Sequence, residues 1–269
     1  MSYLYETHLH TSFSSACARC EGSQYITRYQ DMGYSGIIVT DHFWNGNTAA
    51  DKTLAWKEWV KQFCRGYEEA WNEGQRRGLD VFFGWEETFD SCDDYLVYGL
   101  NREWLLEHPE ARHWTRAEQH RAVREAGGCV VQAHPFRQHN WIKRVVLSTG
   151  CVDGVEVANL GNEDRCYDAL AMRYAKNLGL PFTAGSDIHD ARLLDNGESF
   201  GVYTGEKLKS IDDYVRAVLD NSIAGIKVSE GRCDWHGDEK IVLPLEIRDE
   251  NDRKTKHHKA LPDDIFTRR

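Results

Sequence analysis

Short runs of apolar, often β-branched residues alternate along the chain with longer stretches in which apolar residues recur at every third or fourth position. The short runs predict β-strands, at residues 4–6, 36–40, 81–85, 95–100, 129–133, 154–157, 181–184 and 223–228. The longer stretches predict helices, at residues 23–32, 52–77 (one helix or two), 116–126, 167–178 and 211–221. This alternation indicates βαβ units that form a parallel sheet.

The polar residues that follow these strands favour one parallel-sheet architecture over the other. A doubly wound sheet and a barrel both fit the order of elements, but at least five predicted strands end in His, Asp or Glu. Functional groups at the carboxyl ends of many strands are typical of (β/α) barrels, so we expect an α/β barrel over residues 1–229. Residues 230–269 are rich in charge. We expect them to be a C-terminal extension, either packed on the barrel or partly disordered.

Histidines and acids at five strand ends form a candidate metal site: His8 and His10, Asp41 and His42, Glu86, His134, and Asp187 and His189. Residues two apart in an extended segment point the same way, so both members of the His-x-His and Asp-x-His pairs face one centre. Imidazole and carboxylate groups bind zinc, manganese and iron. About seven ligands exceed the ~4 positions of one tetrahedral zinc, which predicts two or three divalent ions. Any one of these five strand-end segments, taken alone, occurs more often by coincidence than as part of a metal site. The metal hypothesis therefore depends on the occurrence of all five in one chain.

Composition and charge argue against several classes of function. The 269 residues carry 33 Lys and Arg against 43 Asp and Glu, a formal charge of −10. Such a surface repels phosphate backbones, so no long nucleic acid is expected as a partner. No apolar run approaches the ~18 residues of a membrane helix, and the first residues do not resemble a signal peptide, so we expect a cytoplasmic protein with no membrane partner. The eight cysteines are then expected to be free thiols or metal ligands rather than a disulfide framework.

Four of the strand-end segments resemble the motifs of the PHP (polymerase and histidinol phosphatase) superfamily. They are His8-Leu9-His10-Thr11, Val39-Thr40-Asp41-His42, Ala133-His134-Pro135 and Gly185-Ser186-Asp187-Ile188-His189. Gly84-Trp85-Glu86 is similar to the family's strand with a bridging glutamate, and the segments follow the family's order between residues 5 and 201. The resemblance implies a distorted (β/α)7 barrel of PHP type, a metal cluster at its mouth, and hydrolysis of phosphoesters.

The resemblance also assigns metal ligands to the motif residues: His8, His10, Glu86 and Asp187 for a first ion, Glu86 and His134 for a second, and His42 and His189 for a third. One departure from the family's pattern concerns this third set. Where many members have Asp or His shortly after the first motif, this chain has Ser15 and Ala16, followed by Cys17. The third set therefore lacks one expected ligand, and it is either weak or completed by Cys17 or water.

Three further residues complete the candidate site. Many members have a histidine on the strand after the bridging glutamate, and Asp94 is our candidate replacement for it. A carboxylate is a hard ligand, so it shifts the preference from zinc towards manganese or iron. Arg19 follows the first motif and Arg137 follows the third. A guanidinium group suits phosphate oxygens, so both are candidate substrate-binding residues, with pairing to a nearby acid as the alternative for each.

These observations predict an enzyme that hydrolyses a phosphate ester, either a small phosphomonoester or a phosphodiester, such as a nucleotide or sugar phosphate. Glu86 is shared by two cations, hydroxide generated at the metals attacks phosphorus in line, and Asp187 or a nearby histidine protonates the leaving oxygen. The expected cofactors are two or three divalent ions, which are zinc, manganese or iron. The expected partner is a small phosphorylated substrate.

Three alternatives stay open. A cyclic phosphodiesterase, or an exonuclease acting on nucleic-acid ends, would use the same fold. An amidohydrolase also uses His-x-His and a strand-end Asp, but it usually needs a lysine that bridges the metals. No lysine stands at the strand ends that carry the candidate ligands, and Glu86 occupies the bridging position. A non-catalytic metal-binding module is disfavoured by the nearly complete ligand set.

Overall fold

A nine-stranded sheet runs through the centre of the protein in the computed structural model, which describes residues 2–237 and 239–258. The strands are β1 (Tyr3–Glu6), β2 (Gly36–Val39), β3 (Asp80–Thr88), β4 (Asp94–Tyr98), β5 (Cys129–Gln132), β6 (Val145–Ser148), β7 (Gly154–Asn159), β8 (Phe182–Gly185), β9 (Gly201–Thr204), β10 (Gly225–Lys227), β11 (Leu245–Arg248) and β12 (Lys254–His258). The helices are α1 (Ser23–Asp31), α2 (Trp56–Phe63), α3 (Arg65–Arg77), α4 (Arg102–Glu107), α5 (Arg116–Glu125), α6 (Arg165–Leu178) and α7 (Ile211–Leu219). Two 3₁₀ helices span Pro109–His113 and Ala191–Asn196.

Neighbouring strands in the large sheet follow the order β10-β9-β1-β2-β3-β4-β5-β7-β8. β1, β2 and β3 are parallel, as are β5, β7 and β8. The sheet closes just after β1 and β8, where the His10 amide donates to the Ile188 carbonyl at 3.0 Å. Beside it, the Asp187 amide donates to the His8 carbonyl at 2.8 Å. The strands β1, β2, β3, β4, β5, β7 and β8 therefore form a nearly closed, distorted barrel, as the sequence predicts.

The prediction of a parallel sheet is wrong for β4, and β9, through which β10 joins the sheet, was not predicted. β4 is antiparallel to both β3 and β5. β3 ends at Thr88 and β4 begins at Asp94, and so short a connection cannot provide the crossover that a parallel pair needs. β9 is antiparallel to β1, and β10 is antiparallel to β9. These two strands extend the sheet beside β1.

Local sequence signals explain where several helices begin and end. The region predicted as one helix or two over residues 52–77 forms α2 and α3, which meet at Cys64. α5 begins with a capping box in which Thr115 and Glu118 exchange hydrogen bonds, an arrangement that satisfies free backbone amides of the first turn. α6 ends at Gly179, which adopts the left-handed conformation common after a helix.

Aromatic side chains support the segment that follows β2. The ring of Phe43 lies 5.2 to 5.4 Å, centroid to centroid, from the rings of Trp59, Phe63 and Trp85. All four side chains are buried. Burial of such rings is strongly stabilising, and it holds the backbone next to His42 in a single position.

A second sheet joins the C-terminal region to the barrel. β11 is parallel to β6 and antiparallel to β12. Of the predicted extension over residues 230–269, residue 238 and residues 259–269 lie outside the described residues. The division into a barrel and an extension stays a prediction. Within the described ranges, none of the helices has the length and apolar character needed to cross a membrane.

Candidate metal centre

The eight predicted metal ligands meet at one end of the barrel. Six of them lie on or just after the carboxyl ends of the parallel strands β1, β2, β3 and β8: His8, His10, His42, Glu86, Asp187 and His189. His134 follows β5, and Asp94 begins β4, whose reversed direction brings its first residue to the same end. Because the carboxyl ends of parallel strands share one rim of a barrel, residues far apart in sequence become neighbours.

The first group of donor atoms surrounds the ring of His8. Its Nε2 atom lies 3.1 Å from Nε2 of His10 and 3.2 Å from Oε1 of Glu86. Nε2 of His10 is also 3.1 Å from Oδ1 of Asp187. All four residues are buried, so these atoms face one another with little access to water.

The second group shares Oε1 of Glu86 with the first. Nε2 of His134 is 3.3 Å from Oε1 of Glu86 and 3.8 Å from Oδ2 of Asp94. The other carboxylate oxygen of Asp94 accepts a hydrogen bond of 2.6 Å from the Thr88 hydroxyl. Burial and the neighbouring Glu86 carboxylate raise the pKa of Asp94 well above its usual value. Such crowding of carboxylates is relieved when a cation lies between them.

The third group contains three histidines and a thiol. The ring centroid of His10 lies 4.3 Å from that of His42 and 4.2 Å from that of His189, and one nitrogen from each ring falls within 4.8 Å of the others. The Cys17 thiol lines the same cavity as His42 and His189. Burial opposes ionisation of this thiol, but the two histidines outweigh burial and lower the pKa of Cys17 to about 6. A thiolate of this kind is a metal ligand.

The spacing of the donor atoms fits a metal ion. Nδ1 of His42 and Oε2 of Glu86 form a buried ion pair at 2.8 Å, although this contact lacks hydrogen-bond geometry. Two donors held about 2.1 Å from one ion in tetrahedral geometry are about 3.4 Å apart. The separations of 3.1 to 3.3 Å around Glu86 and the two first-motif histidines are close to that value.

Burial and neighbouring charges set the protonation states of the donors. Burial, together with the charges of two adjacent histidines, holds the pKa of His10 well below its usual value. Burial alone would raise the pKa of Glu86, but the surrounding histidines outweigh it and hold that pKa well below the usual range. Burial alone would also raise the pKa of Asp187, but the neighbouring charges of His8 and Arg137 outweigh it and lower that pKa. A neutral imidazole and ionised carboxylates are the forms that bind metal ions.

Glu156, on β7, orients the ligands and was not among the predicted site residues. Its Oε1 atom lies 2.9 Å from Nδ1 of His8, and its Oε2 atom accepts a hydrogen bond of 3.1 Å from the His134 amide. Carboxylates that accept from a ligating histidine fix the tautomer and direction of the ring. The available sequence signal was a single acid inside the apolar run Gly154-Val155-Glu156-Val157.

Ser15 and Asp41 hold the loop after β1. The Ser15 hydroxyl donates to Asp41 at 2.7 Å, accepts from the His42 amide at 2.9 Å and lies 3.2 Å from Nδ1 of His10. Burial raises the pKa of Asp41 to about 6, although hydrogen bonds from Thr11 and Ser15 act to lower it. Ser15 therefore helps to orient two candidate ligands, His42 through its backbone amide and His10 through its Nδ1 atom.

The two predicted substrate-binding arginines lie in different environments. Arg137 lines the cavity above the metal centre and is 13% exposed. Its guanidinium group donates to Asp187 at 2.8 Å and to Asn159 at 2.7 Å. Arg19 has an exposed side chain that is not among the described residues lining this cavity, and its amide donates to the His189 carbonyl at 2.7 Å. The roles of both arginines stay predictions.

Comparison with solved structures finds this fold in other proteins. A two-domain protein from Bacteroides vulgatus that contains a predicted PHP-like metal-dependent phosphoesterase has a TM-score of 0.59 at 16% identity, over 83% of this chain and 64% of its own. A protein from Bifidobacterium adolescentis that is proposed to be a metal-dependent phosphoesterase has a TM-score of 0.51 at 19% identity, over 81% of this chain and 96% of its own.

Endonuclease Q, in complex with a 27-mer duplex that carries an abasic lesion at its active site, has a TM-score of 0.52 at 11% identity, over 82% of this chain and 57% of its own. This chain thus spans less than two thirds of the length of both Endonuclease Q and the Bacteroides protein. No protein-family model and no curated protein matches the sequence. The structural neighbours confirm the distorted α/β barrel of PHP type that the sequence predicts.

Proposed function

We propose that this protein hydrolyses a small phosphate ester with the help of two or three divalent ions bound at the mouth of the barrel. The observation that carries the proposal is that seven of the candidate ligands form three overlapping sets of His, Asp and Glu donor atoms, and the atoms within each set lie within 4.8 Å of one another. Buried donor atoms packed this closely are costly, and a cation between them removes that cost.

Each donor group has an assigned ion in this proposal. The first ion is held by His8, His10, Glu86 and Asp187, the second by Glu86, His134 and Asp94, and the third by His42, His189 and Cys17. Zinc, manganese and iron all accept such mixed nitrogen and oxygen donors. Divalent ions there would supply Lewis-acid activation of water and neutralise charge on the phosphoryl oxygens.

The protein's own residues supply position and proton transfer. The Asp187 carboxylate is held by Arg137 at 2.8 Å, which would fix it for coordination of the first ion. His189 is 29% exposed at the cavity, and hydrogen bonding to Cys17 together with the Asp187 charge outweighs burial and raises its pKa. With two ions bound and the third set empty, His189 would be better suited than Asp187 to protonate the leaving oxygen. Arg137 and Arg19 would contact the phosphate.

The test is hydrolysis of a panel of small phosphomonoesters and diesters by purified protein supplied with Mn²⁺, Zn²⁺ or Fe²⁺. We expect chelation to abolish turnover, readdition of metal to restore it, and His8→Ala and Asp187→Ala to reduce it by at least ~100-fold. His120→Ala is the matched control, because His120 pairs with Asp153 away from the site. Turnover that is indifferent to chelation and to both site variants would refute the proposal.

Cleavage at a nucleic-acid end is the second candidate. It is favoured by the neighbour Endonuclease Q, whose structure holds duplex DNA, and it is disfavoured by the net charge of −10. Release of nucleotides from a 5′-phosphorylated oligonucleotide, with efficiency above that for any small ester, would favour it. The cytoplasmic location expected from the sequence belongs to the same proposal.

A further inference from the structure

An exposed tryptophan lines the cavity above the metal centre. Trp141 is 60% exposed and borders the same cavity as His134, Arg137 and Asp187, whose volume is about 540 Å³. Cavities of roughly 300–1,000 Å³ are typical of sites for single small molecules. A large apolar side chain left in water at such a place is available to contact a ligand.

The Trp141 ring stacks on a neighbouring histidine. Its centroid lies 4.3 Å from that of His139, with only 21° between the planes. One face of the indole is therefore covered, and the residue as a whole is still 60% exposed. A flat side chain with few rotatable bonds loses little conformational freedom when a second flat ring packs on it, so Trp141 is a suitable stacking surface.

The charges around the cavity argue against a substrate with several phosphates. Among the described lining residues, Arg137 is the only Lys or Arg, and its guanidinium group already contacts Asp187, Asn159 and Asn162. The other polar lining groups near the rim include the uncharged Asn45 and Asn47. The divalent ions of the proposed function would hold the phosphate that is cleaved, and beyond them the described cavity wall offers a second phosphate no unengaged cation. An uncharged ring, in contrast, would meet Trp141.

We propose that Trp141 makes this site selective for phosphate monoesters whose alcohol carries a planar aromatic ring, which stacks on the open surface of the indole. This inference rests on the proposed function, and it specifies the substrate class of the same site. The ring is either a nucleobase, as in a nucleoside monophosphate, or a phenol, as in phosphotyrosine. Both offer the same flat π surface.

The test compares adenosine 5′-monophosphate, phosphotyrosine and ribose 5-phosphate as substrates of the wild type, Trp141→Ala and Trp141→Phe. We expect Trp141→Ala to lower kcat/KM about 10-fold (about 1.4 kcal/mol) for a ring-bearing ester, mainly through KM, and to leave ribose 5-phosphate within about 2-fold. Trp141→Phe should recover most of the loss. The ring-bearing ester that shows the larger loss identifies the source of the ring.

Trp71→Ala is the control, because Trp71 is an exposed tryptophan, 42% accessible, that lies outside the cavity. Equal losses for all three esters in Trp141→Ala, or none, would overturn the inference while leaving the proposed function intact. If the wild type hydrolyses none of them, the proposed function fails for these esters. Calorimetric binding of the same esters to wild type and Trp141→Ala then decides the inference, since stacking requires that only ring-bearing esters bind more weakly to the variant.

Discussion

Glu156→Gln is predicted to weaken metal binding without removing any ligand. The Glu156 carboxylate contacts Nδ1 of His8 at 2.9 Å, the His134 amide at 3.1 Å and the Asn159 side-chain amide at 2.8 Å. Glutamine has nearly the same shape but lacks the charge, and its NH₂ group replaces one of the two accepting oxygens. The substitution therefore leaves His8 in place and removes the force that fixes its tautomer and direction.

The size of the effect follows from the contacts that are lost. A hydrogen bond to a charged group contributes about 1.5–3 kcal/mol, and each 1.4 kcal/mol is about 10-fold in an equilibrium constant. Of the three contacts of Glu156, the one with Nδ1 of His8 acts directly on the ring of a candidate ligand. We therefore expect the affinity for the most tightly bound ion to fall about 10–100-fold, in agreement with the usual effect of removing a residue that orients a ligand.

The assay is competition with a chromophoric chelator at fixed pH, with Zn²⁺ and Mn²⁺ titrated separately. Glu246→Gln is the matched control, because Glu246 is an equally buried glutamate that pairs with Arg144 and Arg248 in the second sheet. That control should lower thermal stability and leave metal affinity unchanged. Wild-type affinity in a folded Glu156→Gln protein would refute the reasoning, and so would an equal loss of affinity in the Glu246→Gln control.

Four further predictions follow. Cys17→Ser should reduce by one the number of Zn²⁺ ions retained after dialysis, as measured by elemental analysis, and no change would remove the thiol from the ligand set. Gly66→Ala places a methyl group against the buried side chains of Thr11 and Asp41, so the free energy of unfolding in urea should fall by about 1–3 kcal/mol. Gly205→Ala is the control, because its methyl group meets nothing within 4 Å, and that free energy should not change. Arg116→Met breaks ion pairs of a guanidinium group that is 4% exposed, so the free energy of unfolding in urea should fall by about 3–5 kcal/mol. Arg76→Ala, at the surface, should leave that free energy almost unchanged. Chelation should lower the Tm of the wild type, because an ion at 100 times its Kd contributes about 2.7 kcal/mol, and an unchanged Tm would contradict binding of metal to the folded state.

The convergence of the ligands was predictable because it depends on strand ends alone. His8 and His10 are two residues apart, as are Asp187 and His189, and extended backbone turns each pair towards one side. Once the strands are parallel, their carboxyl ends share a rim. Asp94 was harder to assign, since its position depends on the reversed strand β4. Its carboxylate lies 3.8 Å from Nε2 of His134, and its role as a ligand stays a prediction.

Other features could not be predicted because they depend on contacts between distant segments. The direction of β4 was misjudged, although the short connection before it was visible in the sequence. The pairing of β6 with β11 joins residues about one hundred positions apart, and no local pattern specifies it. Trp141 occurs in a polar segment without periodicity, so its place at the cavity rim emerges only from the fold.

Hydrogen bonds to acids outside the ligand set hold the strained backbone of the candidate metal centre. His134 has φ of 25° and Asp187 has φ of 50°, a region that costs non-glycine residues about 1–3 kcal/mol each. Both are held there by carboxylates outside the ligand set. Glu156 accepts a hydrogen bond from the His134 amide. Glu6 accepts hydrogen bonds of 2.9 Å each from the amides of His8 and Ser186. These two amides lie beside the backbone hydrogen bond between His8 and Asp187. Because these hydrogen bonds already fix the ligand backbone, metal binding need not order it, and a larger share of the coordination free energy appears as affinity.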